Sequence, residues 1–462
     1  MKKVCNKVAM LGLLLCASGL WSQSPDTLLV QPRASTSPVI SDADDPAIWV
    51  HPTDPSQSLI LGTDKGTYPD GGIFVWGMEG ALLQRINVSH PNNIDVRYGM
   101  KLGGGRVDVA VTSMRDHRQI RVYKIDPVTR TLEDITTTTG INIFKAPYGL
   151  ALYQRPSDDT LFAIVSSKHD DFKHELWQIR LAGDGEGRVK GTVVRKFGVH
   201  TGIVEGLVVD DELGYLYASG DHGGIDKYYA DPEKGNAHLV RFGMEDSITA
   251  NHEGLALYKC ANSAGYLLSS RPGIAALRVY RREGDDGNPH EHSLIAIIRD
   301  TDAKNGDGIE VTNRPTSSQF RRGMLVWHNK AAHNFRLYAW EEVAQNFLTI
   351  CPSGTSNAVD MGAFNPGKNE GPLILQQNHP NPFNPATEIQ FEVRNAGEVQ
   401  LTIHNLLGEE VRRLLHATLP SGKYSVRWDA RDDAGMLLAS GIYFYQVRAG
   451  QSLATRRMIL SR

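Results

Sequence analysis

The fold is decided by a pattern that residues 205–229, EGLVVDDELGYLYASGDHGGIDKYY, display most clearly. A short apolar strand leads through a polar turn to a second strand that ends in small or polar residues. A glycine and a third strand rich in β-branched and aromatic residues complete the unit. Residues 253–282 repeat the pattern as EGLALYKCANSAGYLLSSRPGIAALRVYRR. Apolar positions that alternate in this way predict antiparallel strands.

Six such units lie between residues 41 and 352, at an average of about 52 residues each. This period is typical of a four-stranded propeller blade. A doubly wound fold would need a helix between successive strands, and few helical patterns interrupt the repeat. Residues 375–462 contain shorter strands separated by turn signals at the spacing of a β-sandwich. We therefore expect an all-β chain, a six-bladed β-propeller followed by a small immunoglobulin-like β-sandwich.

The segments around these two domains differ in composition. Residues 1–22 carry three lysines, a short apolar run and then small residues, which is typical of a secretory signal peptide. The apolar run is too short for a bilayer-spanning helix, so we expect soluble export. Residues 23–40 form an N-terminal lead-in. Residues 353–374, rich in Gly, Ser, Asn and Pro, are predicted to be a linker.

Composition and missing motifs exclude several functions. Lys and Arg total 49 against 52 for Asp and Glu, with no basic run, so nucleic-acid binding is not expected. The chain has no Gly-x-Ser-x-Gly elbow and no His-Glu-x-x-His motif. The four cysteines form no metal-ligand pattern. Cys260 and Cys351 remain after removal of the leader, and a disulfide or two separate thiols are both compatible with the sequence.

Carboxylates recur at the same point of successive repeats. Equivalent positions of propeller blades lie at one radius near the axis, so we expect these side chains to converge on one face. A carboxylate cluster without thiol or imidazole partners suits Ca²⁺, which takes six to eight oxygen ligands. For any single residue, a role in capping a turn or strand end is the alternative. The predicted ligands are Asp44, Asp45, Asp95, Glu205, Glu253 and Asp307.

Basic residues follow comparable strands in the first three units, namely Lys65, Arg115 and Lys168. Arg binds phosphate through two parallel hydrogen bonds and Lys binds it as a point charge, so these residues beside a calcium cluster predict an anion site. Tyr148 precedes Gly149 and has a hydroxyl that could serve the same anion. A buried structural tyrosine is the alternative for this position.

With these acidic and basic residues, the chain resembles a known family, the β-propeller phytases, which are calcium-dependent phosphatases of inositol hexakisphosphate. The similarity runs in order through all six units. It rests on DADDPAIW (42–49), PNNIDVRY (91–98), YGLALY (148–153), EGLVVDDELGYLY (205–217), GYLLSS (265–270) and DGIEV (307–311).

The resemblance implies that several calcium ions fill a cleft on the top face and join substrate phosphates to acidic side chains. A calcium-activated water would then attack the phosphorus in line. By the same resemblance, phosphate would be held by Lys65, Arg115, Tyr148 and Lys168, and Glu205 would serve both catalysis and the calcium network.

Four positions depart from the family pattern. His169 stands in place of the usual Glu, Gly220 in place of an acid, Asn251 in place of Asp, and Pro272 in place of a polar amide. Asp221 compensates for Gly220 by a shift of one residue and is therefore included among the predicted calcium ligands. Fewer oxygen ligands would change calcium affinity, activity or the phosphoester that is used.

The tail resembles the C-terminal sorting domain of the type IX (Por) secretion system, which is related to the immunoglobulin-like domain of flagellar hook-capping proteins. The matching motifs are NHPNPFNP (378–385), TEIQF (387–391), NLLG (405–408), WD (428–429) and SGIYFY (440–445). The resemblance implies passage across an outer membrane, with type IX secretion machinery as partner. A carbohydrate-binding or adhesive sandwich is the alternative.

We therefore expect a secreted or surface-bound monomer that hydrolyses phytate in a calcium-dependent manner, as a phosphomonoester hydrolase of the 3-phytase type. One alternative is a non-catalytic propeller that binds calcium and anions. Another is a propeller hydrolase acting on a different phosphoester or on a lactone, which would need one central metal and no set of three phosphate-binding cations.

Overall fold

The computed structural model describes residues 26–351 and 373–461, apart from 173, 222, 245–251, 262, 272–274, 286, 301–305, 346, 377, 379, 382, 406–408 and 451. The expected leader, most of the expected linker, and the departures Asn251 and Pro272 lie outside the described residues. The chain divides into two compact units, Met1–Ala358 and Val359–Arg462. No helix of the described residues is long and apolar enough to cross a membrane.

The first unit consists of antiparallel blades preceded by two short strands, β1 (Asp26–Val30) and β2 (Ala34–Ser35). Blade 1 contains β3 (Ala43–Trp49), β4 (Leu59–Asp64), β5 (Gly72–Trp76) and β6 (Leu82–Asn87). Blade 2 contains β7 (Pro91–Leu102), β8 (Gly105–Met114), β9 (Gln119–Asp126) and β10 (Thr131–Asp134), and β11 (Ile141–Asn142) also pairs with β9. Blade 3 contains β12 (Pro147–Gln154), β13 (Leu161–Ser167), β14 (Glu175–Gly183) and β15 (Val189–Gly198).

The remaining blades follow in chain order. Blade 4 contains β16 (Val204–Asp210), β17 (Tyr215–Gly220), β18 (Ile225–Tyr229) and β19 (His238–Phe242). Blade 5 contains β20 (Leu255–Lys259), β21 (Gly265–Arg271), β22 (Ala276–Arg281) and β23 (Leu294–Asp300). Blade 6 contains β24 (Ile309–Thr312), β25 (Met324–Asn329) and β26 (Asn334–Ala339).

The blades close into a ring. The innermost strands β3, β7, β12, β16, β20 and β24 each contact the next in that order, and β24 contacts β3. Apolar residues fill each gap between neighbouring blades, as Trp76, Phe335 and Leu337 do between the last blade and the first. Because both faces of a blade are covered in this way, most strands are buried on both sides. The predicted six-bladed propeller is confirmed.

Ring closure uses the lead-in, which the repeat pattern did not include. β2 pairs antiparallel with β26 and supplies the fourth strand of blade 6. β1 runs parallel to β23 and adds a fifth strand to blade 5. Residues 26–35 are therefore part of the propeller.

A short helix and a disulfide complete the unit. Helix α1 (Trp340–Ala344) follows β26, and the Trp340 ring stacks on Tyr258 at 3.8 Å between centroids. Cys351 is bonded to Cys260, which directly follows β20. Of the two states compatible with the sequence, the structure therefore has the disulfide.

The second unit is a two-sheet sandwich, as predicted. One sheet contains β27 (Leu373–Leu375), β28 (Thr387–Val393) and β31 (Gly422–Trp428). The other contains β29 (Gly397–His404), β30 (Glu410–Leu419), β32 (Gly441–Ala449) and β33 (Ser452–Leu460). Inward-facing residues alternate along the central strands, and Trp428 and Tyr445 lie fully buried among them.

Candidate active site

The candidate site lies where the innermost strands begin. Four of these strands start with an irregular register, between Ala43 and Pro46 in β3, Pro91 and Ile94 in β7, Pro147 and Leu150 in β12, and Val204 and Gly206 in β16. A bulge of this kind turns a side chain away from the two-residue alternation of a strand. Predicted site residues of three blades, Asp44, Asp45, Tyr148 and Glu205, lie within these irregular stretches.

Glycines at the same point let the blades approach closely. In four blades the predicted site residue is followed by a glycine. The Cα of this glycine faces the backbone carbonyl of a predicted site residue in the neighbouring blade. A Cβ would collide with that carbonyl at each position, so a larger side chain would force the blades apart. The facing pairs are Gly149 with Glu205, Gly206 with Glu253, Gly254 with Asp307, and Gly308 with Asp44.

Hydroxyl groups on the second strands donate hydrogen bonds to the neighbouring blades near the same strand ends. Ser113 Oγ donates to the carbonyl of Tyr148 at 2.6 Å, and Ser166 Oγ donates to the carbonyl of Val204 at 2.6 Å. Ser219 Oγ donates to the carbonyl of Glu253 at 3.3 Å. The small polar residues that end each second strand therefore hold the first strand of the next blade.

Five of the predicted acids are brought together. Together with Asn93 they line a small cavity of about 10 Å³ near the axis: Asp44, Asp45, Glu205, Glu253 and Asp307. Lys65 lies among them, with its Nζ 2.7 Å from Asp44 Oδ1 and 3.8 Å from Asp307 Oδ2. Asn93 was not predicted. Its position before Ile94 matches that of Gly206 before Leu207, which is the signal that could have identified it.

The acids raise one another's pKa. Burial raises the pKa of Glu205 to about 7, helped by the charge of Asp44. Burial and the charges of Glu205 and Asp307 raise the pKa of Glu253 to about 9. Burial lowers the pKa of Lys65, but the charge and hydrogen bond of Asp44, together with the charges of Glu205 and Asp42, outweigh burial and raise that pKa above its usual value. Carboxylates crowded in this way favour any added cation.

The predicted phosphate-binding cations meet at Tyr148. The guanidinium carbon of Arg115 lies 5.0 Å from the centroid of the Tyr148 ring, and Lys168 Nζ lies 4.6 Å from it. Lys168 Nζ also donates to the Tyr148 hydroxyl at 3.2 Å. Burial, together with the nearby charge of Glu205, raises the pKa of Tyr148, so the hydroxyl keeps its proton and faces the Glu205 carboxylate as a donor. Tyr148 thus links the cations to the acid ring.

Two predicted ligands lie elsewhere. Asp95 lies two residues beyond Asn93, where it pairs with Arg97 at 2.9 Å and accepts from the Leu152 backbone at 2.7 Å. It lines an adjoining cavity of about 230 Å³ that shares Asp45 and Asn93 with the small cavity and continues along the inner strands. Asp221 is exposed and accepts from the Ile203 backbone at 2.8 Å. The structure therefore does not bring Asp95 or Asp221 into the ring.

The departures from the family pattern have local causes. A side chain at Gly220 would collide with the carbonyls of Ile203 and Thr201, so an acid at this position would require the backbone to move. His169 accepts from the Asp171 backbone through Nδ1 at 3.3 Å and thereby organises its own turn.

The ring fits a hard cation. Asp44 Oδ2 is buried, and within the described part of the chain no group donates a hydrogen bond to it. Over the same residues, no three His, Cys, Asp or Glu side chains come close enough to hold a metal ion by themselves. Ca²⁺ tolerates mixed and flexible oxygen shells, so phosphate oxygens and water could complete its coordination.

Comparison with known proteins assigns the family. The family model described as Phytase matches residues 5–361, and that of the FlgD Ig-like domain matches residues 380–452. A 3-phytase of Bacillus subtilis is 31% identical over 334 residues, which cover 69% of this chain and 85% of that protein.

Two solved structures align more loosely. One is PorZ, a surface component of the type IX secretion system of Porphyromonas gingivalis, at 11% identity and a TM-score of 0.36, covering 91% of this chain and 51% of that one. The other is the Cps50 (Swd1) β-propeller domain of Myceliophteria thermophila, at 12% identity and 0.37, covering 64% and 83%. Neither is close enough to support an argument. The Phytase match and the Bacillus relative are close enough, and they confirm the family that the sequence motifs resemble: this chain belongs to the Phytase family.

Proposed function

We propose that this chain is a secreted, calcium-dependent phytase that removes phosphate groups from myo-inositol hexakisphosphate by attack of water. The Bacillus relative is named a 3-phytase. The observation that carries the proposal is the meeting of Lys65, Arg115 and Lys168 with Tyr148 and the acid ring at one end of the propeller.

The charges explain why such a site would need calcium. A phosphate monoester carries about −1.5 to −2 at neutral pH, so a hexaphosphate is a dense polyanion. Five acids would repel it, and three basic side chains do not offset both the acids and the substrate. Bound calcium would reverse the sign of the local field, polarise phosphoryl oxygens and lower the pKa of a coordinated water.

The side chains divide this work. Asp44, Glu205, Glu253 and Asp307 would hold calcium, with Asp45 beneath them. In the structure Lys65 pairs with Asp44. A cation bound to the Asp44 carboxylate would free the Lys65 ammonium to bind a phosphate oxygen.

The phosphate-binding groups lie beside this ring. Arg115 and Lys168, which both contact the Tyr148 ring, would bind phosphate oxygens. The Tyr148 hydroxyl would orient Glu205, whose carboxylate could accept the proton of the attacking water.

Phosphate release from phytate, measured against free calcium, tests this proposal. We expect release that rises with calcium, stops with a chelator and returns when calcium is restored. If no phosphate is released at any calcium concentration while calorimetry shows that calcium and phytate bind, the chain is a non-catalytic binding propeller. Turnover of lactones with one metal per chain would identify a lactonase instead.

We also propose that residues 1–22 are a removed leader, and that residues 375–462 are a type IX sorting domain joined by the linker at 353–374. The match of residues 380–452 to the FlgD Ig-like domain supports this relationship. In a host with a type IX system, the full chain should reach the medium or cell surface, and a chain ending at 352 should stay in the periplasm. Equal export of both would contradict the proposal.

A further inference from the structure

A hydrogen-bonded relay ends at the guanidinium of Arg115. Ser89 Oγ donates to Asp116 Oδ2 at 2.5 Å, and His90 Nδ1 lies 3.1 Å from Asp116 Oδ1. On the other edge of the imidazole, Nε2 lies 3.2 Å from Arg115 Nη1. Neither His90 nor Asp116 belongs to the predicted site, and no part of the proposed reaction assigned so far uses them.

The direction of each hydrogen bond follows from the donors available. A guanidinium can only donate, so His90 Nε2 accepts from Arg115 and carries no proton. The ring proton is therefore on Nδ1, which donates to Asp116. The hydrogen bond from Ser89, followed by that from His90, lowers the pKa of Asp116 and keeps it a carboxylate. The relay thus fixes one tautomer of His90.

Arg115 is held on two sides. One Nη1 hydrogen is used by His90, and the guanidinium plane contacts the Tyr148 ring. An arginine has five N–H groups, so a pair remains for two oxygens of one phosphate. A long side chain fixed in advance loses less entropy when it binds its ligand.

We propose that His90, oriented by Asp116, is a positioning residue that presents Arg115 to the substrate phosphate. This inference rests on the proposed phytase function and adds two residues to it.

A purely structural role for the imidazole is the competing explanation. The loops here are joined through the backbone, by His90 N donating to the Gly66 carbonyl at 2.9 Å and Arg115 N donating to the His90 carbonyl at 3.0 Å. Both bonds survive a change of side chain, and the His90 side chain is 30% exposed. Replacing it should therefore disturb Arg115 more than the fold.

The first experiment measures steady-state phytate hydrolysis at saturating calcium. We expect His90→Ala to lower kcat/KM roughly three- to tenfold, the range for one lost hydrogen bond, with an unchanged unfolding midpoint. His90→Gln should recover most of the loss, because its amide oxygen can accept from Arg115. His117→Ala is the matched control, since His117 is exposed and next to Asp116, and it should behave as wild type.

A second variant separates positioning from packing. Asp116→Asn keeps the size but offers an N–H to His90 Nδ1, which moves the ring proton to Nε2 and turns a donor toward Arg115. It should lose as much kcat/KM as His90→Ala. In an Arg115→Ala background, neither change should lower kcat/KM further, because the group they position is gone.

The tautomer itself provides a readout that does not need activity. In ¹⁵N spectra of wild type, His90 Nε2 should appear unprotonated, and in Asp116→Asn it should appear protonated. Wild-type kcat/KM in His90→Ala, or additive losses with Arg115→Ala, would overturn the inference while leaving the phytase function intact. Inactive wild-type protein would instead overturn the proposed function, and with it this inference.

Discussion

Among the residues that the structure describes, no carboxylate forms an ion pair with Arg115. Its contacts are the Tyr148 ring and His90 Nε2. Arg97 and Arg282, by contrast, are tied to aspartates at 3.0 Å or less. An arginine held by neutral groups keeps its charge available for an anion.

Substitution of Arg115 should therefore affect catalysis more than folding. We expect Arg115→Ala to lower kcat/KM for phytate roughly 10- to 100-fold, since hydrogen bonds to charged groups contribute about 1.5–3 kcal/mol. The free energy of unfolding should change by less than about 1 kcal/mol. Arg115→Lys keeps the charge but loses the paired hydrogen bonds and should recover only part of the rate. Matched losses of stability and rate would indicate a structural arginine.

A buried histidine should set part of the acid stability. His292 lies between the Arg281 carbonyl, 2.9 Å from Nδ1, and the Lys227 ammonium, 3.2 Å from Nε2. Burial, with the charge of Lys227, lowers the pKa of His292 to about 4. The unfolded chain binds this proton below about pH 6.5 and the folded chain does not, so stability is complete above pH 6.5 and falls toward pH 4.

The size of this effect follows from the shift in pKa. We expect a loss on the order of 3 kcal/mol from His292 between pH 6.5 and pH 4. Urea unfolding at several pH values should show a flatter dependence for His292→Gln, with His117→Gln as the exposed control. Parallel curves for wild type and His292→Gln would contradict the prediction.

At the level of elements, glycines at the inner strand ends set the spacing of the blades. Gly206 faces the Glu253 carbonyl and Ser219 Oγ, and both would meet a Cβ. We expect Gly206→Ala to cost about 1–3 kcal/mol of unfolding free energy and to weaken calcium binding, because the two blades must separate.

Gly105→Ala is the matched control for this prediction. Gly105 begins β8, and a Cβ there would meet only the Leu102 carbonyl at 3.8 Å. The free energies of unfolding and of calcium binding of this variant, measured by chemical unfolding and calorimetry, should equal those of wild type within about 0.5 kcal/mol. Equal effects of the two substitutions would remove the special role of Gly206.

The bulges also explain how far the site could be predicted. The repeat identified Asp44, Glu205, Glu253 and Asp307 correctly as neighbours, because an acid or Asp pair precedes a conspicuous strand in each of those four units. Blade 2 has no such acid at that point, so the next one, Asp95, was assigned in its place. A two-residue period carries no information on where a bulge lies, and the register of β7 therefore could not be read from the sequence.

The relay that ends at Arg115 was equally hidden. His90, Ser89 and Asp116 lie on two connecting segments, and neither segment carries a pattern that marks them. Their meeting depends on the register of β7 with β8, which pairs Pro91 with Met114 across an irregular stretch.

For the whole molecule, the sequence predicted the six blades and the sandwich but not how the ring closes. The lead-in is too short and too irregular to be recognised as a repeat, yet β2 completes blade 6 and β1 adds a fifth strand to blade 5. The disulfide was also undecided, because cysteine spacing does not reveal which loops approach each other.

The disulfide should stabilise the propeller measurably. Cys260 and Cys351 are 91 residues apart, and cross-linking a long loop restricts the unfolded chain. We expect Cys260→Ser with Cys351→Ser to lower the unfolding free energy by about 2–4 kcal/mol. Reductant should lower the unfolding free energy of wild type to the same extent and leave that of the double variant unchanged. A wild-type protein insensitive to reductant would contradict this prediction.

The pairing of β2 with β26 makes a strand that precedes the first blade part of the last blade. The four antiparallel strands of every other blade are consecutive in the chain, but blade 6 has only three strands until residues 34–35 return to it. Whenever this seam parts, β26 presents unpaired N–H and carbonyl groups along its length, and such an edge accepts a strand from any chain that carries one. Two molecules that exchange their leading strands would rebuild both rings from identical contacts, so the seam is also a route to intertwined dimers at high concentration.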